Sequence, residues 1–331
     1  TAMGTMLKYG SEGAKQFYDL FILNPEHSMA HKNGDIHIHD LDFLTLTTTC
    51  CQIDIKSLFK GGFSTGHGFL REPKDIQSYA ALTCIAIQAN QNDQHGGQSI
   101  PNFDYGLADG VRKTYARVYR QNLLKALQLI CEEEFSEDAI NHIYEEIENK
   151  HGLIPSLEDN QEYMKLEKRY LSDHIIDSSA IEKAQRFSIE HSLTETNRRT
   201  YQAMEALIHN LNTMHSRAGA QIPFSSINYG TDTSPEGRMV VKNVLLATER
   251  GLGNGETPIF PIQIFKVKEG INYNVGDPNY DLFKLACKVS AKRLFPNFSF
   301  LDAPYNAQYY VEGHPETEMA YMGCRSALRC A

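Results

Sequence analysis

The chain has 331 residues, 41% of them apolar, with 32 Lys and Arg against 41 Asp and Glu and a net charge of −9. That length can bury a substantial core and suits one large α/β unit or two smaller ones, while the acidic balance argues against the clustered positive face that a nucleic-acid polymer needs and leaves room for small anions held by a few local Lys or Arg. No apolar run is long enough to cross a bilayer, no basic-then-apolar leader opens the chain, and seven cysteines in a long chain point to reduced thiols in a cytoplasm, not to a disulfide scaffold.

The chain starts at Thr1 and reads as a fragment or a processed form. Residues 11–24 suit a helix, with Ser11 as cap and Phe17, Leu20 and Phe21 on one face. Asn33-Gly34 is a turn. Asp35-Ile36-His37-Ile38-His39 alternates and predicts a strand, and the β-branched run from Thr45 to Cys50 predicts another. Residues 53–60 read as a helix closed by Gly61-Gly62. Pro73 opens a helix to Gln94, stopped by His95-Gly96-Gly97. From Asp109 to Leu211 the pattern is helical, broken near Gly152 and Pro155. The charged stretch from Glu132 to Lys150 is a solvated face, and the block reads as an inserted helical hairpin. Beyond it, 222–229, 259–267 and 298–301 predict strands and 235–249 and 278–294 predict helices. This alternation implies βαβ units and a parallel sheet, with chemistry at strand ends and loops.

Five groups of residues could carry chemistry. Cys324 follows Gly323 and precedes Arg325, which suits a tight loop presenting a sulfur better than it suits a core. A cysteine sulfur can exchange a hydrogen atom reversibly with a carbon radical if it sits in a dry enclosure. The plain alternative is a buried structural thiol. Cys50 and Cys51 are adjacent on a strand, so they point to opposite faces and only one can face a given cavity; both could also be packing thiols. His37 and His39 share a strand face at metal-ligand spacing, or are hydrogen-bonded core histidines. Lys74, Arg112, Lys113 and Arg117 could meet phosphate, or form surface ion pairs. The glycine clusters 95–99 and 250–255 could cradle phosphate but lack the Rossmann and P-loop spacings and are more often plain turns; Ser216 to Gln221 could line a cavity ahead of its strand.

Ordered matches run through Gly34-Asp35-Ile36-His37, Gly251-Leu252-Gly253, Thr257-Pro258-Ile259-Phe260-Pro261, Asp277-Pro278-Asn279-Tyr280 and Met322-Gly323-Cys324-Arg325-Ser326. With them the chain resembles the anaerobic, class III, glycyl-radical ribonucleotide reductases. The resemblance implies a partial ten-stranded α/β barrel, made of two antiparallel halves of parallel strands. Residues 1–331 would be a single incomplete catalytic barrel domain with a helical insertion at about 115–210. It implies that Cys324 is the radical cysteine on a loop at the barrel centre and that Cys50 is its reducing partner, preceded by Thr49 where many members have Asn. Met322, Gly323, Ser326, Thr49, His37 and His39 would touch substrate, and Lys74 and Arg117 would hold an effector on helices that pair across a homodimer. No metal is expected on His37 and His39.

The resemblance further implies ribonucleoside triphosphate substrates, deoxynucleotide and ATP effectors, and formate or a dithiol as reductant. A radical-SAM activating protein, with S-adenosylmethionine and an iron–sulfur cluster, would install a glycyl radical. The Arg-x-x-Gly-Tyr radical segment, a four-cysteine zinc site and an N-terminal ATP-cone are not in this sequence, so these residues alone are expected to be inactive. Two other readings stand beside this one. One is a metal-dependent hydrolase on an α/β barrel, using His37 and His39 with His209 or His215 and an aspartate. The other is a non-catalytic deoxynucleotide-binding dimer module.

Overall fold

The computed structural model describes residues 1–46, 49–130, 136–158, 160–173, 175, 177–215, 222–323 and 327–328. Two helices, α1 (Ala2–Phe17) and α2 (Pro25–Asn33), lead into five parallel strands. These are β1 (Thr49–Gln52), β2 (His95–Ile100), β3 (Ser225–Tyr229), β4 (Ile262–Val267) and β5 (Asn297–Phe300), adjacent in space in the order they occur in the chain. Sequential order without a switch of direction is how a barrel is wound, in contrast to a doubly wound open sheet. Five such strands are the number in one half of the expected barrel.

The crossovers are helical. Helices α3 (Ile55–Phe59) and α4 (Ile76–Asp93) link β1 to β2, and α5 (Phe103–Ile130), α6 (Glu137–His151), α7 (Gln161–Ser172) and α8 (Ser178–Thr213) link β2 to β3. Helix α9 (Pro235–Arg250) joins β3 to β4 and α10 (Tyr280–Arg293) joins β4 to β5. Local chemistry sets their ends. Asp75 and Ser78 close a capping box at the start of α4, Ser234 caps α9 with Pro235 in its first turn, and Gly152 ends α6 in the left-handed region at φ 66°.

Alternation along the strands divides the sheet into two faces. Ile100, Ile227, Tyr229, Phe265 and Val267 join residues of α4, α5, α8, α9 and α10 in the main core. A second cluster gathers the end of α5 with α6, α7 and the start of α8. At its centre Glu167 is buried, accepting from the Tyr119 hydroxyl at 2.7 Å and the Gln185 amide at 2.8 Å. Burial pushes its carboxyl up to about 7, against those donors.

Several expectations from the sequence are corrected. The helix expected from Ser11 starts at Ala2, because Thr1 caps it; Ser11 lies inside it and donates to Asp42. Residues 35–39 are not a strand. Gly34 closes α2 in the left-handed region, Asp40 turns the chain at φ 52°, and a short 3₁₀ turn over Leu41–Phe43 follows, so among the described residues His37 and His39 pair with no strand. The strand expected over 45–50 is displaced to Thr49–Gln52. His95-Gly96-Gly97 does not merely stop a helix but begins β2. The Arg250–Gly255 turn is filled by Arg293, whose guanidinium donates to the carbonyls of Glu249, Arg250 and Gly255, so it offers no phosphate cradle. Ser216 to Gln221 lie outside the described residues.

Candidate functional site

The face of the sheet away from the helices carries a polar and small-residue surface, and a late chain segment runs across it. Residues 318–323 pass from the carboxyl ends of the strands toward their amino ends. Glu318 meets Lys266 of β4 at 3.1 Å. The Tyr321 backbone N–H donates to Asn228 Oδ1 of β3 at 2.8 Å, its carbonyl accepts from Asn228 Nδ2 at 3.0 Å, and Ser99 Oγ of β2 donates to the same carbonyl at 3.2 Å. A β-carbon on Gly97 of β2 would stand 3.4 Å from Met322 Cε, and one on Gly323 would stand 2.5 Å from Ile262 Cδ1 of β4. Ala320–Tyr321 pairs antiparallel with Ala327–Leu328. Cys324, Arg325 and Ser326 lie outside the described residues, as does the Thr49 side chain.

Cys50 and Cys51 separate as the strand pleat requires. Cys51 Sγ takes an N–H from Asn90 of α4 at 2.8 Å and donates to Gln98 Oε1 at 3.0 Å, on the helix side, where burial pushes its thiol up. Cys50 Sγ instead accepts the Gly97 backbone N–H at 3.2 Å. The geometry depends on an irregularity in which Thr49 pairs with His95 but Cys51 with Gln98; Cys50 sits at φ 62° and Gly96 at φ 90°. Gly97 therefore has the Cys50 sulfur at its amide, and a β-carbon there would meet the Phe224 ring at 3.1 Å and the Met322 methyl at 3.4 Å, so the ring sets the tighter limit.

The junction is buried on the side of the crossing segment and opens to solvent past Leu294 and Phe300. Met319, Ala320 and Met322 are buried, Met322 to 1% exposure. A cavity of about 790 Å³ adjoins it, lined by Ile262, Ile264, Asn297, Ser299, Tyr321, Met322 and Gly323. Ser299 Oγ, on that wall, is buried and has no hydrogen-bond partner among the described residues.

The other expected residues fall in two places. His37 and His39 are exposed. Asp40 Oδ2 bridges His39 Nε2 at 2.8 Å to His95 Nε2 of β2, whose ring stacks on Phe43 with centroids 4.3 Å apart. The His37–His39 segment is thereby tied to the strand beside Cys50. Among the described residues no three His, Cys, Asp or Glu side chains come together as metal ligands, so nothing supports the hydrolase arrangement. Lys74 is exposed at the approach to α4. Arg117 of α5 pairs with Asp75 at 3.0 Å, which puts the two basic residues at one junction of α4 and α5. Arg117 also lines a cavity of about 310 Å³ with Arg120, Glu137 and Asn141. Among the described residues no helix is long and apolar enough to cross a membrane.

Sequence reasoning did not single out Ser99, Asn228, Lys266, Glu318 or Asp104. Asp104, at the start of α5, is fully buried and accepts the backbone N–H groups of Gly230 at 2.8 Å and Asp232 at 3.1 Å. Burial, with the neighbouring Asp232 charge, pushes it up to about 6. The available signal was polar residues at alternate positions of otherwise apolar strands, above all a lysine in Ile262-Gln263-Ile264-Phe265-Lys266-Val267.

Comparison with known proteins gives one family. The model of the family described as anaerobic ribonucleoside-triphosphate reductase matches residues 1–330. The anaerobic ribonucleoside-triphosphate reductase of Enterobacteria phage T4 is 29% identical over 318 residues, which cover 95% of this chain and 41% of that protein. Its namesake from Escherichia coli K12 is 28% identical over 322 residues, 95% of this chain and 35% of that protein. The chain thus spans well under half the length of these relatives. A crystal structure of the anaerobic ribonucleotide reductase from Thermotoga maritima, with glycerol in its active site, aligns over 89% of this chain and 40% of that one. The TM-score is 0.50 at 12% identity, a likeness of fold.

Proposed function

The chain belongs to the anaerobic ribonucleoside-triphosphate reductase family, and on that premise we propose that it forms part of the catalytic barrel that reduces ribonucleoside triphosphates to deoxyribonucleotides. The observation that carries this reading is the meeting of Cys50 Sγ, Gly97 and Met322 on the inner face of the sheet, two residues before Cys324. Hydrogen-atom chemistry needs an enclosure poor in water, and the buried Met319, Ala320 and Met322 supply one wall of it.

A glycyl radical, on chain outside this sequence, would supply the hydrogen-atom acceptor for Cys324, and the buried apolar approach fits such a group. Cys324 would take the 3′ hydrogen of the ribose. Cys50, held by the Gly97 N–H, would stand beside the sugar as reducing partner while the 2′-hydroxyl leaves as water, with formate or a dithiol as the electron source. Met322, Gly323, Ser326 and Thr49 would shape the ribose site, and His37 and His39 would approach it through Asp40 and His95. Lys74 and Arg117 would hold the phosphates of a deoxynucleotide or ATP effector near a homodimer contact, with the helical stretch at about 115–210 as an insertion in one barrel domain. A radical-SAM activating protein with its iron–sulfur cluster and S-adenosylmethionine, a zinc site on further chain, and a cytoplasmic location complete the proposal.

The test is Cys324→Ser and, separately, Cys50→Ser in the activated full-length protein that carries this sequence. Deoxynucleotide formation should fall to background in the first and by orders of magnitude in the second. Turnover by Cys324→Ser would refute the assignment.

A further inference from the structure

Lys266 is the exception on its strand. It is fully buried, its ammonium 2.6 Å from Asn102 Oδ1 and 3.1 Å from Glu318 Oε2, and the same carboxylate oxygen accepts the Thr231 hydroxyl at 2.8 Å. Glu318 is itself only 3% exposed. A buried ion pair of this kind gives little net stability, because desolvation of the two charges offsets their attraction and well-packed apolar residues of similar volume do as well. What such a pair can give is specificity, since one charged side chain finds a partner at one position only.

Register in the segment 318–323 rests on few side-chain contacts: the Tyr321 hydroxyl donates to Asn306 Oδ1 at 2.7 Å, Gly323 lies against Ile262, and Glu318 meets Lys266. Asn228 grips Tyr321 through its backbone N–H and carbonyl, and Ser99 grips the same carbonyl. These contacts would accept the backbone of any residue, so they hold the segment without choosing which residue is held. Lys266 chooses by side chain: its ammonium donates to Asn102 Oδ1 and to Glu318 Oε2, three residues before Tyr321, and Thr231 donates to that same Glu318 oxygen.

We propose that Lys266 and Glu318 are a positioning pair that sets the register of residues 318–323 across the sheet face, and so fixes where Gly323 lies against β4. That this placement matters for a working Cys324 rests on the reductase reading.

The test compares Lys266→Met, Glu318→Leu and the double variant in the full-length protein, by thermal midpoint, by hydrogen exchange of the peptide spanning 319–323, and by turnover after activation. Each single variant strands a buried charge and should lower the midpoint. The double variant should recover it, yet exchange at Tyr321 should be faster by about tenfold or more. Turnover number should fall by a similar factor while KM for the nucleotide stays within about twofold. A double variant with recovered midpoint and unchanged exchange and turnover would overturn the proposal. If the double variant does not fold, Glu318→Asp decides: its shorter side chain should loosen the Tyr321 amide, and unchanged exchange there would overturn the pair. Faster exchange in the variants with no turnover in any form, the parent included, would refute the reductase reading and leave the positioning pair standing.

Discussion

Replacing Gly323 by alanine tests how closely the late segment is laid on the sheet. A β-carbon there would lie 2.5 Å from Ile262 Cδ1 and 3.3 Å from Ile262 Cβ and Cγ1. Carbon atoms prefer about 3.5–4.0 Å, so the new methyl intrudes by about 1 Å on the tip of one side chain. Overpacking of this size costs about 1–3 kcal/mol. The tip can be removed: Ile262→Val deletes Cδ1 and leaves nothing nearer than 3.3 Å, at its own cost of about 0.5–1.5 kcal/mol. The two substitutions should therefore couple, the double variant recovering about 1 kcal/mol or more over the sum of the singles. Denaturant titration gives the energies, and hydrogen exchange over 320–323 reports whether the strain is local. A Gly323→Ala cost under about 0.5 kcal/mol, or strict additivity with Ile262→Val, would show that Gly323 does not lie against β4 and would refute the path drawn for the segment.

Asn228→Ala should remove the two-sided grip on Tyr321 and strand its N–H, the carbonyl keeping the Ser99 hydroxyl, at about 1–3 kcal/mol, with exchange at Tyr321 rising more than exchange in β3 itself; equal exchange in both would contradict the grip. Glu167, held at about 7 in the folded chain against an ordinary 4.5, keeps its proton in the fold, so its contribution is complete below about pH 4.5 and fades as pH rises through about 7. That gap corresponds to roughly 3 kcal/mol. Glu167→Gln, which cannot ionise, should gain stability relative to the parent between pH 5 and 8, read as the difference in denaturant midpoints; a constant difference across that range would show that the carboxyl does not titrate there.

The sequence carried the frame of this fold because its signals were local. Asp54, Asp75, Ser136 and Ser234 each stand before a helical run and each caps one, and the stretches at 225–229 and 262–267 are strands in register with each other. The errors came where a longer-range contact overrode a local pattern. His37-Ile38-His39 alternates as a strand would, but among the described residues no neighbour offers a ladder; Asp40 instead draws His39 and His95 together. His95-Gly96-Gly97 reads as a helix stop because its two glycines disfavour a strand in isolation. They are tolerated in β2 because an adjoining strand and a crossing segment both press against the backbone there. The network of Asn102, Asp104, Thr231, Lys266 and Glu318 was illegible for the same reason, since its members are brought together from separate turns and one strand by the sheet alone.

The paired cysteines show how far a sequence rule reaches and what completes it. Alternation of side chains states that Cys50 and Cys51 must part, but is silent on which goes inward. The strand is too short for its own pattern to decide, and the choice is made by the partner. Asn90 and Gln98 offer Cys51 a donor and an acceptor, which suit a neutral thiol that burial keeps protonated. Cys50 is left in the left-handed region, a conformation that costs a non-glycine residue roughly 1 kcal/mol or more, and one that persists only where the surroundings hold it. The Gly97 N–H on its sulfur is one such restraint. Two sulfurs one residue apart are thus given different surroundings by one irregular pairing between β1 and β2, one between Asn90 and Gln98 and the other at the Gly97 amide.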